Sequence, residues 1–123
     1  QVDITICQQI YTDTLTKNRI RFESGSANIN ADSTALLDRL VEIAQRCPSA
    51  KIDIEGHTDS DGDADANLKL SQARARAVAD FLTKAGLPND RISSNGFGPT
   101  RPIASNETPE GKAINRRIEF HLK

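Results

Sequence analysis

Apolar residues recur along this chain with two different periods, and the two alternate. From Leu36 to Cys47 the period is helical. Leu36, Leu37, Leu40, Ile43, Ala44 and Cys47 share one face, Arg46 suits the last turn, and Pro48 stops the run. Asn30 or Asp32 is placed to cap this helix. A longer helix is predicted from Ala66 or Asn67 to Lys84, with Leu70, Ala73, Ala77, Val78, Phe81 and Leu82 as its core stripe and Gly86 and Pro88 ending it. A shorter one is predicted over Asp3 to Thr16, capped by Asp3, with Ile6, Ile10 and Leu15 apolar and Tyr11 beside Ile10. Thr108-Pro109-Glu110 reads as the start of a helix of a turn or two, with Thr108 as cap.

Between these helices the period falls to two. Ile20 and Phe22 alternate within Arg19–Glu23, Ile52 and Ile54 within Lys51–Glu55, and Ile118, Phe120 and Leu122 within Arg117–Leu122. Each reads as a strand with one buried face, and Arg91–Asn95 is a weaker candidate. Ser24-Gly25-Ser26 turns the chain, Gly56 is expected to end the second strand, and Gly96, Gly98, Pro99 and Pro102 to form a loop. The order is helix, strand, helix, strand, helix, strand, strand. It predicts an α/β (α+β) fold with helices packed on one side of a mixed sheet.

Composition narrows the function classes. At 123 residues the chain is the size of one domain, with an aliphatic core enlarged by Phe22, Phe81, Phe97 and Phe120. A net charge of −1 argues against nucleic acid, which calls for a clustered basic face. No apolar run approaches the ~20 residues that span a bilayer. No charged and apolar leader follows Gln1, so the chain is expected to be a mature domain or fragment whose targeting signal or anchor lies outside it. Cys7 and Cys47 form one disulfide or remain two buried thiols, according to the compartment. With no CxxC and only two histidines, a zinc site is not expected, and no cofactor is implied.

The stretch Glu55–Ala75 holds the candidate chemistry. Asp59 lies in an acidic loop and Arg74 fifteen residues later on the helix. Held together, they could clamp a zwitterion: Asp59 accepts from an ammonium and Arg74 grips a carboxylate, aided by the helix N-terminus, with Asn67 adding a neutral contact. The alternative is that they pair with each other as a surface salt bridge. Asp61, Asp63 and Asp65 suggest calcium, but both EF-hand registers fail, with Ala64 or Ala66 at the glycine position. Asp53 and Glu55 alternate away from Ile52 and Ile54 toward a solvated face, so acid–base catalysis with His57 is not expected. One arginine of Asn115-Arg116-Arg117 can face the ligand loop.

Read together, Ile54-Glu55-Gly56-His57-Thr58-Asp59, Asn67, Leu70-Ser71-Gln72-Ala73-Arg74-Ala75, Gly96-Phe97-Gly98, Pro102-Ile103-Ala104 and Asn115-Arg116-Arg117-Ile118-Glu119-Phe120 resemble the OmpA C-terminal-like domain. The resemblance runs from about Arg19 to the C-terminus. It implies a βαβαββ-type mixed sheet with helices on one face, and divides the chain into an N-terminal helical extension (1–16) and the binding domain (17–123). It implies non-catalytic binding of peptidoglycan in the periplasm through the diaminopimelate of the stem peptide, anchoring an envelope protein that is membrane-associated through another region. By motif position Asp59 would hold the ammonium and Arg74 the carboxylate, supported by Thr58, Asn67, Leu70 and Arg116. Gly25 lacks a side chain in the loop after the first strand, so contacts there fall to backbone, Ser24 or Ser26. That leaves open a second reading, a periplasmic protein–protein assembly module with weak or lost wall binding. A periplasmic setting favours a Cys7–Cys47 disulfide.

Overall fold

The computed structural model describes residues 3–123. Its helices are α1 (Ile4–Lys17), α2 (Thr34–Arg46), α3 (Ala64–Lys84) and α4 (Pro109–Asn115), and its strands β1 (Ile52–His57), β2 (Ile92–Gly98) and β3 (Arg117–Leu122). The sheet order is β2-β1-β3, with β1 parallel to β2 and antiparallel to β3. This is the mixed α/β architecture that the alternating periods predict.

One predicted strand does not form. Phe22 in the Arg19–Glu23 segment makes a single antiparallel bridge to Ile29. Glu23 N–H donates to Asn28 O at 2.9 Å and Asn30 N–H to Arg21 O at 2.8 Å, closing a narrow loop apart from the sheet. A two-residue period signals one buried face, and Ile20 and Phe22 do pack against the core, but it does not supply a neighbouring strand. The caps are closer to expectation. Asp3 accepts from Thr5 N–H and Thr108 from Gly111 N–H as expected, whereas Asn30 accepts from Asp32 N–H and caps a short 3-10 turn (Ala31–Ser33), so that α2 itself starts after Ser33 with no side-chain cap.

Two glycines expected to end structure instead lie inside strands. A Cβ on Gly56 would meet Ser71 O at 2.2 Å, and one on Gly96 would meet Gln72 N at 2.3 Å. The α3 backbone therefore lies directly on β1 and β2, an approach only glycine permits. It also changes which α3 residues are buried: Ser71, Ala75, Val78, Ala79 and Leu82, with Ala73 exposed. Small residues face the sheet where the backbones are closest.

The core joins Leu37, Leu40, Val41, Ile43 and Ala44 of α2 to Ile52, Ile54, Ile118 and Phe120 of the sheet. Helix α1 belongs to it through another face than the apolar pattern suggests. Cys7, Tyr11 and Thr14 are buried, while Ile4, Ile6 and Ile10 are exposed. Cys7 is bridged to Cys47 at the end of α2. The Tyr11 ring lies 5.1 Å from that of Phe120 and its hydroxyl donates to Leu40 O; burial pushes its pKa up. Gln8 seals the β3 edge, donating to Phe120 O and accepting from Leu122 N–H, both at 2.8 Å. Arg91 donates to Ala44, Cys47 and Ala50 carbonyls and so caps the end of α2.

Candidate functional site

Beyond β1 the chain crosses an acidic loop and enters α3, while the 22–26 turn folds over from one side and the α4–β3 junction closes the other. Together they line a cavity of ≈ 670 Å³. Thr58 fixes the start of the loop: its N–H donates to Gly98 O at 2.9 Å and its hydroxyl to Asp59 O at 2.8 Å. Asp59 is 7% exposed. One carboxylate oxygen accepts from Asp61 N–H at 3.0 Å, and the other meets Arg116 Nη1 at 2.5 Å. Asn67 donates to Asp61 O at 2.7 Å, and Lys112 pairs with Asp61 at 3.2 Å. The loop is thus held from both sides with Asp59 turned into the cavity wall.

Arg74 reaches the same cavity from the middle of α3. Its Nε donates to Ser26 O at 2.8 Å and its guanidinium lies 4.9 Å from the centre of the Phe22 ring. Among the described residues no carboxylate lies within ion-pair distance of it. Burial, and then the charge of Arg116, lower its pKa from the usual guanidinium value. The arginine stays cationic in any protein environment, so the shift expresses a charge that lacks a counter-ion. The surface salt bridge between Asp59 and Arg74 is absent: Asp59 is paired to Arg116, and Arg74 holds only neutral partners.

Of the sequence-predicted residues, Thr58, Asp59, Asn67, Leu70, Arg74, Arg116 and Gly25 line this one cavity. Ser26 contributes its carbonyl to Arg74, and its hydroxyl accepts from Asn28 N–H. The expected help from the helix N-terminus fails. Helix α3 begins at Ala64, so Arg74 sits about 15 Å along it, and Asp63 already accepts from Ala66 N–H. Glu55 departs from expectation too, being 9% exposed rather than solvated, and it pairs with the buried His57 at 3.2 Å. The ladder skips Phe97, between Gly96 opposite Gly56 and Gly98 opposite His57, and the Phe97 ring stacks on His57 at 5.5 Å.

Two residues of the site escaped sequence reading. Phe22 supplies the ring beside Arg74, and only its place in the alternating segment marked it. Asn115 is fully buried and accepts from Ile103 N–H and Ala104 N–H, fastening the 103–106 loop behind Arg116. A polar residue at a helix end gives no sequence signal of that role.

The OmpA family model matches residues 21–116. Over 106 residues the chain is 39% identical to the peptidoglycan-binding protein ArfA of Mycobacterium tuberculosis, covering 86% of this chain and 32% of ArfA. It is 36% identical over 123 residues to outer membrane porin F of Pseudomonas aeruginosa, covering 99% of this chain and 35% of the porin. The chain thus spans about a third of the length of these relatives. Among solved structures, the cell wall anchor of the T6SS from Pseudomonas aeruginosa superposes with a TM-score of 0.80 at 27% identity, covering 96% of both chains. Among the described residues no helix is long and apolar enough to cross a membrane.

Proposed function

The chain belongs to the OmpA family, and from that premise we propose that it binds peptidoglycan without catalysis, through the diaminopimelate of the stem peptide. The observation that carries this reading is the half-buried Arg74 guanidinium, which faces the cavity with no counter-anion while Asp59 presents a carboxylate to the same space. The free end of diaminopimelate carries an ammonium and a carboxylate on one carbon. Asp59 takes the ammonium, alongside or in place of Arg116. Arg74 takes the carboxylate in a charge-assisted hydrogen bond. Thr58, Asn67 and Arg116 hold the loop that aims Asp59, Leu70 gives an apolar wall, and Gly25 leaves the cavity mouth open beside Ser26. Binding anchors an envelope protein to the wall from the periplasm, with any membrane attachment made by a region outside this chain. The names of ArfA and of the T6SS cell wall anchor support the same class of ligand.

The test is co-sedimentation with purified sacculi. Removing one charge-assisted hydrogen bond costs about 1.5–3 kcal/mol, or roughly a 10–150-fold drop in affinity. Asp59→Ala and Arg74→Ala should each show that drop with an unchanged far-UV spectrum. Parent-like binding by both variants would remove the clamp. A folded parent that ignores sacculi would favour the assembly module instead.

A further inference from the structure

Both histidines of the chain converge on one glutamate. On the face of the sheet opposite the aliphatic core, β1 carries Glu55 and His57, and β3 carries Glu119 and His121. The register sets Glu55 directly across from Glu119, an unfavourable like-charge pair for two adjacent strands. Two imidazoles meet these carboxylates. His57 Nε2 lies 3.2 Å from Glu55 Oε1, and His121 Nε2 lies 3.4 Å from that same oxygen and 2.8 Å from Glu119 Oε1. Ligand atoms of Glu55, His57 and Glu119 all lie within 4.8 Å of one another.

These separations have a chemical meaning. In a tetrahedral zinc site with bonds of about 2.0–2.1 Å to nitrogen and oxygen, neighbouring ligand atoms stand about 3.3 Å apart. We propose that Glu55, His57, Glu119 and His121 form a tetrahedral site for a divalent transition ion, zinc by preference. Two carboxylates balance the ion's charge. Arg117 Nε pairs with Glu119 through the other oxygen, Oε2, which leaves Oε1 for the metal and orients it from outside. Arg101, 3.9 Å from Glu55, has a side chain 57% exposed and lies 3.7 Å over the Phe97 ring, a contact it can keep when Glu55 takes the ion.

The His57 side chain is 1% exposed; without an ion its Nε2 donates to Glu55, and Nδ1, which has no hydrogen-bond partner among the described residues, is free to carry the ring proton when Nε2 binds the metal. The half-exposed His121 gives the ion a way in. Two histidines are few for a zinc site, and the sequence alone argues against one. The pairing of β1 with β3 brings both to one point and adds two carboxylates. An ion there staples β1 to β3 beneath the cavity, since Asp59 follows His57 by two residues and Arg116 directly precedes Arg117. The site depends on no assignment of the cavity's ligand.

The experiment titrates the metal-stripped 123-residue chain with zinc chloride by calorimetry, with cobalt(II) as a spectroscopic probe and thermal melting as a third readout. The expected result is one ion per chain, tetrahedral cobalt bands and a raised melting temperature. His121→Ala, at a half-exposed position, should fold and weaken zinc by more than the ~10–100-fold that removal of an outer partner of a ligand causes. Glu119→Gln should weaken it as well, and Asp59→Ala should bind zinc like the parent. No zinc binding by the parent, or undiminished binding by His121→Ala, overturns the site. Weakened binding by Asp59→Ala does so too, by moving the ion to the acidic loop.

Discussion

Reducing the Cys7–Cys47 bridge should lower stability sharply while leaving the native helix α1 in place. The bridge joins residues 40 apart in sequence. In the chain-entropy model, closing a loop of that length in the unfolded ensemble is worth about 4 kcal/mol. For a domain of this size each kcal/mol is worth about 3–5 °C, so the melting temperature should drop by roughly 12–20 °C. The native state should change little, because α1 has other attachments: the fully buried Tyr11, its hydroxyl bond to Leu40 O, and the two Gln8 bonds to the β3 edge. The assay is thermal melting followed at far-UV wavelengths for the oxidised parent, the reduced parent and the Cys7→Ala/Cys47→Ala double variant. A reduced protein melting within about 3 °C of the oxidised one would refute the reasoning on loop length. Loss of helix content in the reduced native state would refute the claim that Tyr11 and Gln8 hold α1.

Two further perturbations test the scaffold. Gly56→Ala puts a methyl 2.2 Å from a backbone oxygen of α3, so the helix must lift from β1; a destabilisation of about 3 kcal/mol or more is expected in urea denaturation, and one under about 1 kcal/mol would mean that the helix can shift freely. Acid should destabilise the fold in two stages. His57 has a pKa below 6.5 when folded, so the unfolded chain binds its proton first and stability falls as pH drops below 6.5 toward the folded value. For Glu119 the cost of burial, which raises its pKa, is outweighed by its bonds to Arg117 and His121; the net lowering adds stability above about 4.5 that is lost as pH falls through the folded value. Melting temperature against pH should therefore slope downward from pH 6.5, and His57→Gln should flatten the upper part of that slope.

Most of the fold was legible in the sequence because each helix carries an apolar face or a cap. Helix α2 reads from Leu37, Leu40, Ile43 and Ala44, and α4 from Thr108 and Pro109. What was not legible depends on contacts between distant segments. The face of α1 is chosen by the bridge at Cys7 and the Tyr11 hydroxyl, so Ile6 and Ile10 stay exposed despite their apolar character. Gly56 and Gly96 look like strand ends until α3 is laid across them. Glu55 looks solvated by alternation, but it pairs with His57, whose ring Phe97 covers. In the cavity, motif position suggested Asp59, Arg74 and Arg116, and the structure gathers them. Their pairing was not legible, because Asp59 meets Arg116 across 57 residues rather than the arginine nearer in sequence.

The central claim is that Arg74 grips the carboxylate which distinguishes diaminopimelate from lysine. A double-mutant cycle isolates that interaction. Calorimetric affinities would be measured for the parent and Arg74→Ala, each with a muropeptide carrying meso-diaminopimelate and with the same muropeptide carrying lysine at that position. The expected coupling between arginine and carboxylate is about 1.5–3 kcal/mol, so that removing either one makes removal of the other nearly silent. Additive effects, with coupling near zero, would contradict the clamp.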